Sequence, residues 1–214
     1  MKKKAIIISI QGSKLSQKEK ILLSKEKPWG LILFKRNIKS SIQIKKLIAQ
    51  IKKLTKDKKF PIIIDEEGLF VSRLVNIIDH NIDANFFGNL YKINSNVALN
   101  LYKSYLNSLC KNLKAIGINI NTIPVLDVLR KNTNKIIGNR AFSQNEKVVK
   151  QLGEKTINQC HSNNIATVIK HIPGHGCSTI DSHLSLPKVN IGLDKLNKKD
   201  FYPFKISSAK LAMT

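Results

Sequence analysis

Cysteine is scarce in this 214-residue sequence, and the few residues present exclude two kinds of framework. Cys110, Cys160 and Cys177 are odd in number and lack the spacing of a metal-binding motif. Neither a disulfide framework nor a cysteine metal site is therefore predicted. Unpaired thiols are typical of a reducing compartment, so we expect a cytoplasmic protein.

Long apolar runs are also missing, which argues against a membrane partner. No run reaches the length that spans a bilayer. The amino terminus imitates a signal peptide, with lysines 2–4 placed before the apolar stretch 5–10. That stretch is shorter than a signal-peptide apolar region, and no small-residue cleavage site follows it.

Arginine and aromatic residues are rare, although the net charge is +23. Aromatic residues make up 6% of the chain, and the lysines are scattered along it beside many Ile and Asn residues. A nucleic-acid surface concentrates basic residues and interleaves aromatic ones. We therefore interpret the lysine excess as a codon bias and predict no specific nucleic-acid partner, although nonspecific binding of polyanions stays open.

Short apolar runs alternate with longer periodic segments, which is typical of a parallel sheet covered by helices. The predicted strands are 5–10, 30–34, 61–65, 118–124, 166–171 and 211–214. The predicted helices are 17–27, 41–56, 95–116, 145–163 and 194–209. Nothing in the pattern suggests a linker, so residues 1–214 are predicted to form one domain.

Polar residues follow three of these strands, where a (β/α)₈ barrel has its active site. Asp65 ends the third strand, Asp127 follows the fourth, and Lys170 and His171 end the fifth. A full barrel needs eight strands, and six are predicted. The alternatives are another α/β fold and an incomplete TIM-type barrel.

A loop dense in chemical groups follows the fifth strand, at residues 170–187. His171 and His175 are four apart, but Pro173 lies between them, so they do not form a helical metal pair. Asp181 stands two residues before His183 and suits the orientation of an imidazole. From the residues alone, a histidine–aspartate dyad and a purely structural loop both stay open.

The loop resembles the pattern KHxPGHGxxTxDSHxxLP of the glycoside hydrolase family 3 β-N-acetylhexosaminidases. Residues 65–74 resemble the DQEGGRVxRL segment of that family, residues 119–128 its INxxPVLDV strand and residues 137–143 its IGxRSF segment. Residues 30–37 match its second strand, GxILFxRN. The resemblance runs in order through nearly the whole chain and implies a TIM-type barrel, incomplete here.

The sequence departs from the family pattern next to Asp65. Glu66 replaces a glutamine, and Leu69-Phe70 replaces a glycine and an arginine. The second replacement is expected to alter the turn or the mouth of the pocket.

The resemblance also assigns roles. His183 is the acid/base and Asp181 its partner in a retaining hydrolysis of terminal β-linked N-acetylhexosamines. The implied sugar-binding residues are Asp65, Arg73, Arg140, Lys170 and His171. From the residues alone, an Asp65–Arg73 surface ion pair and a solvent-facing Arg140 stay open. Asp127 is expected to be structural.

The implied substrate is a cell-wall muropeptide carrying N-acetylglucosamine, processed by a monomer during peptidoglycan recycling, without a metal or organic cofactor. Residues 212–214 match the start of the family's sixth-strand motif, AxMTAH. The nucleophilic aspartate of the family belongs to the seventh strand, which has no match here. The 214-residue chain is therefore expected to have little or no activity. The alternatives are a broader family 3 β-glucosidase and a degenerate, non-catalytic sugar- or polyanion-binding protein.

Overall fold

The computed structural model describes residues 3–180, 185–205 and 208–214. Six parallel strands form one curved sheet, and they neighbour one another in chain order. The strands are β1 (Lys4–Ile8), β2 (Pro28–Leu33), β3 (Ile62–Ile64), β4 (Ile120–Asn121), β5 (Ala166–Ile169) and β6 (Leu211–Ala212). Each begins or ends within a few residues of the predicted strand.

Helices connect the strands and cover the outer side of the sheet. They are α1 (Gln17–Lys25), α2 (Ser41–Leu54), α3 (Ala84–Ile93), α4 (Ser95–Ile116), α5 (Glu146–Ser162) and α6 (Leu193–Lys198). Six parallel strands with outer helices are an incomplete TIM-type barrel, as predicted from the family resemblance. Among the described residues, β1 pairs only with β2, and β6 only with β5.

Local sequence explains the bounds of the longest helix, α4. The Asn94 side chain accepts a hydrogen bond from the Val97 amide and caps the amino end. Gly117 has φ 97° and ends the helix in the left-handed conformation that glycine adopts most easily. The predicted and observed ranges of this helix are identical.

The main core lies between the sheet and the helices. In α2, one apolar face is buried, formed by Ile44, Leu47, Ile48 and Ile51. This is the spacing of an amphipathic helix packed on a sheet. No helix of the described part of the chain is both long and apolar enough to cross a membrane.

The structure differs from the prediction in two helices. Helix α3 is not among the predicted helices. The predicted helix 194–209 is instead the short helix α6 followed by a 3₁₀ turn, Tyr202–Lys205. Pro203 lacks the amide proton that a continuous helix would need there.

Candidate active site

A cavity of about 600 Å³ opens at the carboxyl ends of the strands. Asp65 follows β3 and Lys170 follows β5, and both side chains line this cavity with His171. Thr122, directly after β4, lies between them. Because the strands are parallel, their carboxyl ends bring residues far apart in sequence to one edge.

Lys170 is the central cation of the site, although its side chain is only 2% exposed. Its Nζ forms an ion pair with Glu67, lies 3.6 Å from Asp65 Oδ1 and donates to Thr122 Oγ1 at 2.9 Å. Burial of an ammonium is costly unless carboxylates and hydrogen bonds compensate for the lost water. These three oxygens provide that compensation and fix the position of Nζ.

Two arginines hold the flanking carboxylates. Arg73 Nη2 lies 3.2 Å from Asp65 Oδ2. Arg140 binds Glu67 with both Nε and Nη2, at 2.8 and 2.9 Å, and donates from Nη1 to the Ile136 carbonyl. The two-pronged contact fixes the plane of the Arg140 guanidinium as well as its distance.

The His171 ring is oriented by Asp127, which is fully buried. Nδ1 of His171 lies 2.6 Å from Asp127 Oδ2, and Nε2 lies 3.4 Å from Arg140 Nη2. The other oxygen of Asp127 accepts from the backbone amides of His171 and His175. Asp127 therefore has the structural role expected of it, and it also sets the direction of the ring nitrogens.

Glu66 holds the loop that follows β3 and does not line the cavity. Its carboxylate accepts from the backbone amides of Arg73 and Leu74 at 2.8 and 3.0 Å, and from the Ser72 hydroxyl. His80 Nε2 lies 2.7 Å from the same carboxylate. The glutamate that replaces the family glutamine is therefore built into the protein core.

The charges of the site hold its carboxylates ionised. Burial by itself raises the pKa of Asp65, but the Lys170 ammonium, the Thr122 hydroxyl and the Arg73 guanidinium lower it below its ordinary value. For Glu67, burial is outweighed by Lys170 and Arg140, and its pKa is also lowered. Two largely buried anions, Asp65 and Glu67, thus accept hydrogen bonds at neutral pH.

The structure brings five of the seven predicted site residues to this cavity. Its lining includes Asp65, Arg73, Arg140, Lys170 and His171. The Asp65–Arg73 pair is part-buried and the Arg140 side chain contacts Glu67, so neither is a bare surface group. Asp181 and His183 lie outside the described residues.

Sequence reasoning missed Glu67 and Thr122 as members of the site. Glu67 is one of three consecutive acidic residues, and sequence does not tell which of them points into a cavity. The two-residue alternation of an extended chain puts Asp65 and Glu67 on one side and Glu66 on the other. That alternation was the available signal.

The arrangement suits a ligand with several hydroxyl groups. Ionised carboxylates accept hydrogen bonds from hydroxyl groups, whereas the guanidinium and ammonium groups donate hydrogen bonds to hydroxyl and carbonyl oxygens. Acceptors and donors alternate along the cavity lining in the order Asp65, Lys170, Glu67 and Arg140. Such alternation favours a polyol over a purely anionic or apolar ligand.

Comparison with known proteins is consistent with this chemistry. Residues 2–212 match the model of the family described as the glycosyl hydrolase family 3 N-terminal domain. The chain is 32% identical over 192 residues to a beta-hexosaminidase A of Pseudoalteromonas piscicida, covering 86% of the chain and 31% of that protein. It is 30% identical over 199 residues to a beta-hexosaminidase of Xanthomonas campestris pv. campestris, covering 93% of the chain and 59% of that protein.

Solved structures are similar over almost the whole chain. NagZ from Neisseria gonorrhoeae superposes with a TM-score of 0.91 at 30% identity, covering 99% of this chain and 62% of that one. The same protein in complex with N-trifluoroacetyl-D-glucosamine gives a TM-score of 0.92, also at 30% identity, with 99% and 63% covered. This chain therefore spans less than two thirds of the length of these relatives.

Proposed function

This chain belongs to glycosyl hydrolase family 3, and we propose that its cavity binds the terminal, non-reducing β-linked N-acetylhexosamine of a glycoside that the complete machinery hydrolyses. The observation that carries the proposal is the set of alternating acceptors and donors at the strand ends. Asp65, Lys170 and Arg140 are held there by contacts with Thr122 and Glu67 before any ligand arrives. A rigid polar site loses little entropy when it binds a sugar.

The binding roles follow from the charges. Asp65 accepts hydrogen bonds from sugar hydroxyls, while Arg73 and Lys170 donate hydrogen bonds to the oxygens of the same ring. His171 presents Nε2 beside Arg140 for a further hydroxyl. The solved complex of NagZ with N-trifluoroacetyl-D-glucosamine supports an N-acylglucosamine as the ligand class.

For the chemistry, we propose the retaining route that the family resemblance implies. Such a route needs an acid to protonate the leaving oxygen and a carboxylate to trap the anomeric carbon. His183 protonates the leaving oxygen and then deprotonates water, and Asp181 keeps its ring in the right tautomer. The ordinary pKa of histidine lies near neutrality, which suits both half-reactions.

The nucleophile is proposed to come from a strand that these 214 residues do not include. Asp65 is a poor candidate, because the cations Lys170 and Arg73 and the hydrogen bond from Thr122 lower the nucleophilicity of its carboxylate, which still accepts hydrogen bonds. Hydrolysis therefore depends on a segment that supplies the missing carboxylate. The natural substrate proposed is a muropeptide carrying N-acetylglucosamine, in cytoplasmic recycling of peptidoglycan.

The proposal is tested by separating binding from turnover. Binding of N-acetylglucosamine to the chain, measured by NMR titration, is expected to weaken about tenfold or more in Asp65→Asn, which loses a charged acceptor. Fusion to the carboxyl-terminal third of a homologous beta-hexosaminidase is expected to give hydrolysis of an aryl β-N-acetylglucosaminide. Binding without turnover in that fusion would favour a non-catalytic sugar-binding protein. Absence of binding would overturn the proposal.

A further inference from the structure

An exposed aromatic side chain stands at the rim of the sugar cavity, where the family pattern has an arginine. Phe70 is 59% exposed and lines the 600 Å³ cavity together with Val71 and Ile136. A singly exposed apolar side chain is ordinary on a protein surface, but Phe70 borders a polar cavity. The position distinguishes Phe70 from isolated surface apolar residues.

The loop that carries Phe70 is fixed at both ends. The Val71 carbonyl accepts from the amides of Glu67 and Gly68, at 2.8 and 3.3 Å, which closes a tight turn. Gly68 has φ 140°, a conformation that other residues rarely adopt. On one side Glu67 is held by Arg140 and Lys170.

The other side of the loop is held by Glu66, through the amides of Arg73 and Leu74. The backbone of the loop is therefore held by contacts within the chain. This matters because a loop whose backbone is already ordered binds a partner at a smaller entropic cost.

We propose that Phe70 is a specificity-determining residue, which packs against the ring of the leaving group next to the bound N-acetylhexosamine. This rests on the proposed function, since it assigns the group beyond the cavity. A pyranose presents a face of C–H groups, and an aromatic ring provides a flat apolar surface for it. The arginine of the family pattern would favour polar or anionic contacts at the same place.

The experiment compares two sugars that differ only by the extra ring. Dissociation constants of N-acetylglucosamine and of N,N′-diacetylchitobiose are measured by NMR titration for the unaltered chain and for three variants. Phe70→Ala removes the ring, and Phe70→Tyr keeps it. Leu69→Ala is the matched control. Leu69 is the exposed neighbour of Phe70 in the same loop, but it does not line the 600 Å³ cavity.

In the unaltered chain and in Phe70→Tyr, the disaccharide is expected to bind more tightly than the monosaccharide. In Phe70→Ala, the ratio of the two affinities is expected to fall about fivefold. Leu69→Ala should keep the ratio of the unaltered chain. An unchanged affinity ratio in Phe70→Ala, or an equal fall of the ratio in Leu69→Ala, would overturn the inference. The proposed function would still stand if the monosaccharide binds. Binding of neither sugar would overturn both.

Discussion

The Glu67 carboxylate receives two hydrogen bonds from the Arg140 guanidinium, at 2.8 and 2.9 Å, and forms an ion pair with Lys170 as well. One buried anion thereby connects three segments that are distant in sequence. The loop after β3, the turn before Ala141 and the end of β5 share it. The contact thereby fixes the relative positions of Glu67, Arg140 and Lys170, which all line the cavity.

Replacement of that anion is expected to destabilise the fold. Glu67→Gln keeps the side-chain shape but leaves Arg140 and the buried Lys170 without their shared carboxylate. Removing one member of a buried ion pair typically costs about 3 kcal/mol, because the remaining charge stays desolvated. The free energy of unfolding, from urea titration, measures the loss.

Glu154→Gln provides the control for this loss. Its partner Lys150 lies 3.8 Å away, and both side chains are about one third exposed. Exposed pairs of this kind contribute little, so a change within about 0.5 kcal/mol is expected. Equal losses in the two variants would mean that the Glu67 contact has no special structural weight.

Stability is expected to fall in acid because the Glu67 and Asp65 pKa values are lowered in the folded chain. Their ordinary values are 4.5 and 3.8. As the pH falls through those values, the unfolded chain takes up protons first, and the unfolding free energy decreases until the folded carboxyls are protonated too. The stabilisation is complete above the ordinary values.

The measurement is urea unfolding at a series of pH values from about 6 to about 3. The profile of Glu67→Gln is expected to be flatter than that of the unaltered chain over this range. Parallel profiles would show that Glu67 titrates alike in the folded and unfolded chains, contrary to its contacts with Lys170 and Arg140.

His171 is expected to carry its proton on Nδ1 when neutral. Asp127 Oδ2 can only accept, and it lies 2.6 Å from Nδ1. Nε2 is then an acceptor, 3.4 Å from the Arg140 donor. Long-range ¹H–¹⁵N correlation distinguishes the two tautomers of the neutral ring.

Asp127→Asn is expected to reverse this tautomer and to weaken sugar binding about fivefold to tenfold. If the amide oxygen keeps the backbone contacts of Asp127, its NH₂ group faces Nδ1 and favours a proton on Nε2. That proton would then oppose the Arg140 donor. An Nε2–H tautomer in the unaltered chain would contradict the assigned orientation.

Sequence predicted the order of strands and the shared edge of Asp65, Lys170 and His171 because parallel strands put their carboxyl ends together. It did not predict which of the side chains of residues 65–67 line the cavity and which holds the loop. Glu66 faces Ser72 and His80, whereas Glu67 faces Arg140, which is 73 residues away in sequence. Long-range contacts of this kind leave little local pattern.

The missed helix α3 shows the same limit and gives another prediction. A Cβ added at Gly88 would lie 1.7 Å from the Phe142 carbonyl oxygen, so the helix sits directly on that backbone. Gly88→Ala is expected to cost several kcal/mol, or to prevent folding, since backbone must move apart. Gly12→Ala, where a Cβ meets nothing within 4 Å, is expected to stay within about 1 kcal/mol of the unaltered chain. Equal melting temperatures of the two variants would contradict the close packing of α3.

The proposed dyad is tested in the active fusion with the homologous carboxyl-terminal third. His183→Ala is expected to lower turnover of a disaccharide by roughly 10²–10⁴-fold, the usual contribution of a general acid/base. Asp181→Asn should lose a substantial part of that. The loss should be smaller with a nitrophenyl leaving group, because nitrophenol needs little protonation to depart.

A variant in the same loop separates chemistry from structure. Burial raises the pKa of the Cys177 thiol, and its Sγ donates to the Gly174 carbonyl at 3.5 Å. Serine can make the same hydrogen bond, so Cys177→Ser is expected to keep turnover within about twofold of the unaltered fusion. The Cys177 thiol takes no part in the proposed proton transfer, so its replacement should not change the chemistry. Equal losses of activity in Cys177→Ser and His183→Ala would therefore mean that the loop matters only as structure.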